Sequence, residues 1–590
     1  MDLGGVHRYR ICWCFSRRFK HIVAGLPPDV VDAFQKYSGG RAHLTQEQFL
    51  AFLKEEQGEI AAETVVEQLM QQKRRRHLVE KLGGNSHGFT LDEFYQYLAS
   101  PDLNSPISNE VHHDMTKPLS HYYIYSSHNT YLKGNQISSD CSVKPIIKAL
   151  KMGVRVIELD LWPNSFGNRV LVKHGRTLTR PVDLAKCLRS IKEHAFEASP
   201  YPVIITLEDH LTPKLQAKVA KMLAHTFQDM IYCPESEFKE SFPSPDDLKH
   251  RILISTKPPK EYLTAASSSV VGDNRHLKDS DSDDSTTKGD GLLVKESLRE
   301  EHHMEPMINE LSEESDAESS QVGLLKYKNL IAIHSGKPKG GIREALTVDT
   351  GKVRRLSLSE PSLEMAAENH GMDMVRFTRK NLLRIYPRGT RLTSSNYRPC
   401  IGWMHGVQMV AFNMQGYGSS LWMMHGMFRA NGGCGYVKKP DFLCGEEGFD
   451  PKLRLPPKLI LMVKLYMSDG WQSDFKPTHF DPYSPPDFYA RMGIAGAPVD
   501  TTMKRTKTKE DRWAPVWGEE FEFPLVYPEL ALLRFEVYEE DFGVGPDFGG
   551  QSCLPVAELR RGIRAVALFN RKGEKYKSVR LIVRFQLLVC

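Results

Sequence analysis

The sequence predicts a multidomain protein in which an all-α region precedes a parallel α/β barrel and an all-β sandwich follows it. The length is the first indication, because 590 residues exceed the roughly 250 to 300 at which one hydrophobic core stops growing. Short apolar strands alternate with helical segments through the middle of the chain, which is typical of parallel α/β folds. From Pro457 onward, short strands recur between turns, which is typical of a sandwich.

The first segment, residues 1–20, is basic and aromatic, with Trp13 and Phe15 beside Cys12 and Cys14. One interpretation is an interfacial membrane anchor, and acylation of the two cysteines is left open. The other interpretation is a frayed chain terminus. The sequence does not choose between them.

Residues 21–105 have a helical pattern in which a helix–loop–helix unit occurs twice. The two loops, 38–43 and 83–88, lack the series of carboxylates with which a helix–loop–helix unit binds calcium. We therefore expect this region to hold no metal and to support the barrel by packing.

Polar residues follow the apolar strands of the middle region. A strand at 121–124 precedes His128 and Asn129, and a strand at 170–172 precedes His174. Within the strand 154–161, Glu158 and Asp160 project from one side, because side chains alternate faces along a strand. Two hard oxygen donors among apolar neighbours are costly without a cation.

Two further strands end in the same way, 203–208 at Glu208 and 252–257 at Lys257. Any one of these residues is more often a solvated polar group than a functional one, so the recurrence carries the interpretation. A parallel α/β barrel builds its active site at the carboxyl ends of its strands. Histidines, an amide and carboxylates at these ends predict a calcium-assisted acid–base site.

The composition of the chain limits its cellular compartment and the way in which it could contact a membrane. Hydrophobic residues make up 41% and charged residues 26%, as in ordinary globular proteins, and the ten cysteines are scattered, which predicts reduced thiols in the cytoplasm. No apolar run approaches the roughly 20 residues of a membrane span, so we expect peripheral membrane contact.

The charge of the chain is unevenly distributed. Residues 271–320 hold fifteen acidic and five basic residues, so the remainder carries a net +15. That excess suits anionic lipid, since no nucleic-acid-binding motif accompanies it.

The strand-end motifs resemble the X half of eukaryotic phosphoinositide-specific phospholipase C, over residues 106–262. Residues 322–445 resemble the Y half, with Leu-Arg-Ile-Tyr-Pro from Leu383, Thr-Ser-Ser-Asn-Tyr from Thr393 and Asn-Gly-Gly-Cys-Gly-Tyr from Asn431. The resemblance implies a TIM-type barrel split into X and Y halves. It makes residues 21–105 an EF-hand-like region and residues 457–590 a C2 domain. With no pleckstrin-homology-like segment ahead of the barrel, the layout is similar to the plant form.

Residues 263–321 separate the two halves and are rich in Ser, Asp and Glu, the composition of a disordered linker. In the family this linker is thought to compete with anionic lipid for the basic mouth of the active site. A solvated spacer is the other interpretation, and both stay open.

The resemblance implies calcium-dependent hydrolysis of phosphatidylinositol 4,5-bisphosphate, and of other phosphoinositides, to diacylglycerol and inositol 1,4,5-trisphosphate in intracellular signalling. We expect a monomer in the cytoplasm and at the cytosolic face of the plasma membrane, with Ca²⁺ as cofactor and no nucleic-acid partner. One alternative is a catalytically weak phosphoinositide-binding scaffold, which predicts damaged site residues, and none is missing. Another barrel phosphodiesterase would lack the Y half and the sandwich.

The resemblance also carries roles to residues of this chain. His128 would stabilise the phosphorane, His174 would protonate the leaving diacylglycerol oxygen, and Glu158 or Glu208 would take the proton of the inositol hydroxyl. The implied calcium ligands are Asn129, Glu158, Asp160 and Glu208. The implied substrate-binding residues are Lys257, Ser359, Arg384 and Tyr386.

In the C2 domain the resemblance implies a second calcium site formed by Asp487, Glu539, Asp541 and Asp547. We also expect Arg505, Lys507 and Lys509 to share one strand face that attracts anionic lipid. Two residues depart from the animal pattern. Ser255 replaces a frequent second phosphate-binding lysine, which predicts a weaker preference for the doubly phosphorylated lipid, and Thr390 replaces a membrane-inserting tryptophan.

Overall fold

A computed structural model gives the structure of the chain. It describes residues 6–10, 16–20, 25–80, 88–234, 238, 240–259, 326–336, 340–349, 351–445, 449–450, 453, 455–541 and 545–590. The acidic linker 263–321, Cys12, Cys14 and most of the loop 83–88 lie outside the described residues. No helix in the described parts combines the length and apolar character needed to cross a membrane.

The N-terminal part consists of a hairpin and a helical lobe. Its elements are β1 (Val6–Arg10), β2 (Ser16–Lys20), α1 (Pro28–Ser38), β3 (His43–Thr45), α2 (Gln46–Glu55), α3 (Ala62–Glu80), β4 (Gly88–Thr90) and α4 (Leu91–Leu98). Thr45 and Thr90 are the N-terminal caps of α2 and α4, and each forms a capping box. In a capping box the threonine hydroxyl accepts from the backbone N–H three residues later, and the side chain of that later residue accepts from the threonine N–H. β3 and β4 pair antiparallel and join the two helix–loop–helix units.

The helical lobe shares its core with the sandwich. Phe49 and Phe94 belong to one buried cluster with Tyr466 and Ile563 of the sandwich. Beside this cluster the Glu59 carboxylate lies 2.5 Å from the guanidinium of the fully buried Arg564. The expectation that the lobe supports the barrel was therefore wrong about its partner, because its apolar helix faces are buried against sandwich strands.

The middle of the chain forms the barrel. Its elements are β5 (Tyr122–Ile124), α5 (Val143–Lys151), β6 (Val156–Pro163), β7 (Val170–Val172), β8 (Val182–Asp183), α6 (Leu184–His194), β9 (Val203–Asp209), α7 (Pro213–Phe227), β10 (Ile252–Thr256), β11 (Ile331–Gly336), α8 (Ile342–Ala345), β12 (Arg355–Ser359), α9 (Glu360–Asn369), α10 (Gly371–Lys380), β13 (Leu382–Tyr386), α11 (Cys400–Met404), β14 (Met409–Val410), α12 (Ser419–Met427), β15 (Tyr436–Lys438) and α13 (Asp441–Cys444).

The barrel wall is a parallel sheet in the order β14-β13-β12-β11-β10-β9-β6, with β7 and β8 continuing antiparallel beyond β6. Parallel bridges from Ser126 to Val156 and from Ser127 to Phe412 close this sheet into a barrel. Residues 126–127 thus occupy the eighth strand position. β5, in the segment predicted to be the strand before His128, pairs antiparallel with β15 instead.

Alternation along the strands divides the barrel core in two. Val156, Ile204 and Leu253 belong to one buried cluster, which also contains Leu382 and Met409. Their chain neighbours point the other way and pack with the helices in a larger cluster. A shift of the strand register by one residue would exchange these two sets. The apolar pattern therefore fixes which side chains, including the polar ones at the carboxyl ends of the strands, point into the barrel.

The C-terminal part is an antiparallel sandwich in the order β18-β17-β20-β21-β22-β23-β16-β19. Its elements are β16 (Leu459–Asp469), α14 (Trp471–Asp474), β17 (Phe488–Ala495), β18 (Thr502–Arg505), β19 (Val516–Leu525), β20 (Leu532–Glu539), β21 (Asp547–Pro555), β22 (Gly562–Phe569) and β23 (Lys575–Val589). β18 ends at Arg505, so Lys507 and Lys509 lie beyond it. The expected single basic strand face was therefore wrong. Arg505 instead pairs with Glu540 at 2.7 Å.

Candidate active site

Three carboxylates meet at the carboxyl ends of β6 and β9. Glu158 and Asp160 are two residues apart on β6, and Asp160 lies opposite Glu208 in the parallel register. One oxygen from each of the three carboxylates lies within 4.8 Å of the others. Glu158 and Asp160 are buried, while the Glu208 side chain is 56% exposed at the mouth. The three carboxylates thus lie together at the mouth, and their role as calcium ligands stays a prediction.

This cluster has the properties of a cation site. Burial, followed by the charges of Glu208 and Glu158, raises the pKa of Asp160 well above its usual range. Asp160 Oδ1 is buried without a hydrogen-bond partner among the described residues. A bound cation would offset this repulsion and occupy that oxygen, and oxygen-rich ligand sets suit calcium.

Asn129 lies at the edge of the cluster. Its backbone N–H donates to Glu158 Oε2 at 3.1 Å, and its φ of 42° is one that asparagine tolerates better than most residues. Its side-chain nitrogen donates to Gln136 Oε1 at 2.9 Å. The amide oxygen is therefore the atom of Asn129 suited to a metal.

Arg384, on β13, lies closer to the carboxylates than the sequence indicated. Its Nη2 is 2.5 Å from Glu158 Oε1 inside the barrel mouth, and the side chain is only 5% exposed. The contact is an ion pair that lacks the angles of a hydrogen bond. Arg384 is a residue of the predicted phosphate pocket, and its guanidinium contacts Glu158 of the predicted metal site. It therefore connects the two sites.

Both predicted histidines are oriented by a hydrogen bond at Nδ1. His128 Nδ1 donates to Asn413 Oδ1 at 2.9 Å, and His128 Nε2 lies 4.0 Å from Glu158 Oε2. His174 Nδ1 donates to the carbonyl oxygen of Gln136 at 2.7 Å. With Nδ1 as the donor, Nε2 of either ring has the lone pair in the neutral form and the proton in the charged form, so it is the atom available for proton transfer. Burial lowers the pKa of His128, and the Glu158 charge opposes that effect.

Gln136 connects these groups, and sequence reasoning missed it. Besides its bonds to Asn129 and His174, its Nε2 donates to Ser394 Oγ at 2.9 Å and to Asn413 Oδ1 at 3.1 Å. The side chain is 6% exposed. A glutamine between Asn and Ile in a loop gives no sequence signal of such a role. Its contacts join the X half to the Y half.

Replacing Gln136 by Leu should lower turnover about 10- to 100-fold, because groups that orient functional residues typically contribute that much. The Leu variant keeps the volume and removes the amide that holds Asn129 and Asn413. Steady-state kinetics of the phosphoinositide hydrolysis that the resemblance implies measure the effect. Gln71→Leu, at an exposed position of α3, is the matched control and should keep full activity. Equal rates for the two variants would contradict the role of Gln136.

The remaining predicted substrate residues lie around the same mouth. Lys257 is exposed directly after β10, and Ser359 and Tyr386 are neighbours at the ends of β12 and β13. Ser359 Oγ also accepts from the N–H of Ser362, so it caps α9. Ser255 is fully buried and donates to the Ile333 carbonyl at 3.2 Å. The mouth thus holds Lys257 and Arg384 without a lysine at 255.

The sandwich carries a second carboxylate cluster. Glu539, Asp541 and Asp547 each place an oxygen within 4.8 Å of the others. Burial, followed by the charge of Asp541, raises the pKa of Glu539 to about 8. The backbone N–H of Asp511 donates to Asp487 Oδ1 at 2.7 Å. Asp487 thus lies beside the cluster rather than in its tight centre.

Two carboxylates near this second cluster were missed by sequence reasoning. The charge of Asp481 raises the pKa values of both Asp487 and Glu539, and that of Asp511 raises the pKa of Asp487, although burial is the larger cause in each case. Both residues come from loops distant in sequence from Glu539, so no spacing pattern identifies them.

A third group, His112, His113 and Glu558, joins the barrel to the sandwich. His113 Nε2 lies 2.8 Å from Glu558 Oε1, and His113 Nδ1 accepts from the N–H of Lys438 at 3.2 Å. The ring hydrogen therefore lies on Nε2 and is donated to the carboxylate. Because a metal ligand needs a lone pair at that nitrogen, we interpret the group as a hydrogen-bonded contact between domains.

Comparison with known families agrees with this architecture. The sequence matches models of the phosphatidylinositol-specific phospholipase C X domain (residues 115–258) and Y domain (343–442). It also matches models of the phosphoinositide-specific phospholipase C EF-hand-like region (27–106) and the C2 domain (460–570). The chain belongs to the phosphoinositide-specific phospholipase C family, and it is an enzyme of that class.

Its relatives indicate the plant type. It is 54% identical to phosphoinositide phospholipase C 4 of Arabidopsis thaliana, covering 98% of each chain. It is 33% identical to the mouse 1-phosphatidylinositol 4,5-bisphosphate phosphodiesterase delta-3, covering 95% of this chain and 68% of the mouse protein. The crystal structure of L. pealei PLC21 has the same fold, with a TM-score of 0.69 at 22% identity, over 95% of this chain and 68% of that one.

Proposed function

We propose that this enzyme hydrolyses phosphatidylinositol 4,5-bisphosphate in a calcium-dependent reaction, yielding diacylglycerol and inositol 1,4,5-trisphosphate. The observation that carries the proposal is the buried carboxylate cluster at the barrel mouth, with two oriented histidines beside it. Other phosphoinositides are expected as poorer substrates. The proposed setting is the cytosolic face of the plasma membrane, where a monomer binds anionic lipid.

In this proposal the calcium ligands are the Asn129 amide oxygen and carboxylates of Glu158, Asp160 and Glu208. When bound there, calcium lowers the pKa of the inositol 2-hydroxyl and offsets negative charge on the phosphate. The residues themselves supply a rigid oxygen set, because Asn129 N–H holds Glu158 and Gln136 holds the Asn129 side chain.

Glu208 is the better candidate for the proton acceptor. Glu158 is already engaged by Arg384 and by the Asn129 N–H, whereas the Glu208 side chain is half-exposed at the mouth. A hydrogen bond from His210, 3.2 Å away, lowers the pKa of Glu208. Glu208 thus stays ionised and accessible, and it takes the proton of the inositol hydroxyl as that oxygen attacks phosphorus.

The two histidines then act at the phosphate. Neutral His128 has its Nε2 lone pair at the mouth, and an arriving phosphate adds to the Glu158 charge that favours its protonated, donating form. The protonated form of His174 gives its Nε2 proton to the diacylglycerol oxygen as the phosphorus–oxygen bond breaks, which leaves a neutral ring with a lone pair on Nε2. In the second step the neutral His174 takes a proton from the water that attacks the cyclic phosphate, and Glu208 returns its proton to the inositol 2-oxygen as that phosphorus–oxygen bond breaks.

Lys257, Ser359, Arg384 and Tyr386 are proposed to bind the inositol ring and its 4- and 5-phosphates. The fixed guanidinium of Arg384 and the exposed ammonium of Lys257 suit phosphate groups. Position 255 holds a buried serine in place of the second phosphate-binding lysine that is frequent in the family, so one cation fewer reaches the head group. We therefore expect only a moderate preference for the doubly phosphorylated lipid.

Hydrolysis of the three phosphoinositides on mixed vesicles at fixed free calcium tests this assignment. Replacing Lys257 by Met should raise KM for phosphatidylinositol 4,5-bisphosphate roughly tenfold or more, since a charge-assisted hydrogen bond contributes about 1.5–3 kcal/mol. The KM for unphosphorylated phosphatidylinositol should change much less. Lys221→Met, on the exposed face of α7, is the matched control. An equal change for both lipids would contradict the phosphate-binding role.

A further inference from the structure

A cavity of about 380 Å³ lies where the helical lobe, the barrel and the sandwich meet. Its walls include Ile107, Phe428, Leu554, Val566 and Phe569, and no residue of the candidate active site lines it. The volume is within the roughly 300–1,000 Å³ of small-molecule sites, which are mostly apolar with a few placed polar groups. This cavity is therefore separate from the catalytic centre and has the size of a ligand site.

One of its polar groups is the guanidinium of Arg429. Arg429 Nη1 donates to Ser552 Oγ at 3.1 Å and to the Cys553 carbonyl at 3.2 Å, and the guanidinium stacks over Phe569 at 3.7 Å. Within the described parts of the chain no carboxylate pairs with it, and its Nε and Nη2 form no hydrogen bond and stay accessible to solvent. Burial lowers the pKa of Arg429 to about 10. Two nitrogens of this partly exposed guanidinium are therefore available to a ligand in the cavity.

The second polar group is His425, which is 7% exposed. Its Nδ1 lies 2.5 Å from the hydroxyl of Tyr125, and burial lowers the pKa of His425 to about 3, so the ring is neutral. With the Tyr125 hydroxyl as donor to Nδ1, the ring hydrogen lies on Nε2. Nε2 is buried and has no hydrogen-bond partner among the described residues. The cavity wall thus offers donors from two residues, Arg429 and His425, while its carboxylate, Asp102, pairs with Lys575 at 2.9 Å.

We propose that this cavity binds a small amphipathic anion. Its carboxylate or phosphate group would accept hydrogen bonds from Arg429 and His425, and its hydrocarbon or aromatic body would lie on Ile107, Leu554 and Phe569. Because all three domains line the cavity, a bound anion stabilises their arrangement and raises the unfolding temperature by mass action. The ligand is either lipid-derived or a soluble aromatic acid, since both share this chemistry.

Fluorescence titration of the full-length protein with 8-anilinonaphthalene-1-sulfonate tests the proposal. We expect one saturable site, and Arg429→Met should weaken binding roughly tenfold or more, the usual contribution of hydrogen bonds to a charged group. Arg189→Met, at an exposed position on α6, is the matched control and should leave binding unchanged. Competition by decanoate indicates a lipid-like ligand, and competition by 1-naphthoate indicates an aromatic acid.

Ala567→Phe gives an independent test, because Ala567 lines the cavity and a larger side chain fills it while Arg429 remains. Ala567→Phe should abolish saturable binding of the dye, and it tests the proposal even if Arg429→Met does not fold. Absence of a saturable site in the wild-type protein would overturn the proposal. Binding that persists unchanged in Ala567→Phe would also overturn it, as would equal competition by inorganic phosphate alone.

Discussion

Replacing His174 by Ala is expected to lower the turnover of phosphoinositide hydrolysis by roughly 10²- to 10⁴-fold, the usual contribution of a general acid–base group. The imidazole is oriented by the bond from its Nδ1 to the Gln136 carbonyl, and its Nε2 is available for proton transfer. Its loss leaves the barrel core intact, because the side chain lies at the mouth and belongs to none of the buried apolar clusters. The KM for vesicle substrate should therefore change little.

His128→Gln should have a comparable effect, since it removes the charge that His128 would place at the phosphate. His225→Ala, at an exposed position on α7, is the matched control and should retain wild-type turnover. Circular dichroism and vesicle sedimentation establish that each variant folds and binds lipid. Near-normal turnover in folded His174→Ala would remove it from the mechanism.

The second large effect separates the two proposed calcium sites. Glu158→Gln should abolish turnover of both vesicle and soluble substrates, because Glu158 lies within the barrel carboxylate cluster and pairs with Arg384. Calcium-dependent vesicle binding should persist in this variant, since the sandwich is unchanged. Turnover and vesicle binding should separate because the two carboxylate clusters belong to different domains.

The reverse result is expected when Asp541 and Asp547 are both replaced by Asn. These residues form the sandwich cluster with Glu539, and their charges repel one another and anionic lipid until a cation neutralises them. Calcium-dependent sedimentation with anionic vesicles should weaken, while turnover of a soluble substrate stays within about twofold of wild type, as expected for well-separated sites. Unchanged vesicle sedimentation would direct attention to the basic N-terminal segment 1–20.

Local pattern predicted the parts of the site that depend on strand alternation. Glu158 and Asp160 share a face because strand side chains alternate, and Glu208 joins them because parallel neighbours end at one edge. The sandwich strands were also evident from short apolar repeats. The roles carried over to Lys257 and Tyr386 stay predictions.

Contacts between segments distant in sequence were not predictable in the same way. Gln136 contacts Ser394 and Asn413 across the X and Y halves, and nothing in its neighbours along the chain indicates these partners. Arg384 reaches Glu158 only because the barrel brings β13 and β6 to one mouth. The partner of the helical lobe was mistaken for a similar reason, since an amphipathic helix does not specify which domain covers its apolar face.

The central claim is that chemistry in the barrel depends on calcium held by its own carboxylates. Hydrolysis of a soluble short-chain phosphatidylinositol 4,5-bisphosphate, measured across buffered free calcium, tests it most directly. Turnover should rise to saturation with calcium in the wild type and equally in the Asp541→Asn, Asp547→Asn variant, and it should be lost in Asp160→Asn. Turnover that continues unchanged when a chelator removes calcium, or an Asp160→Asn variant with the wild-type calcium response, would contradict the account.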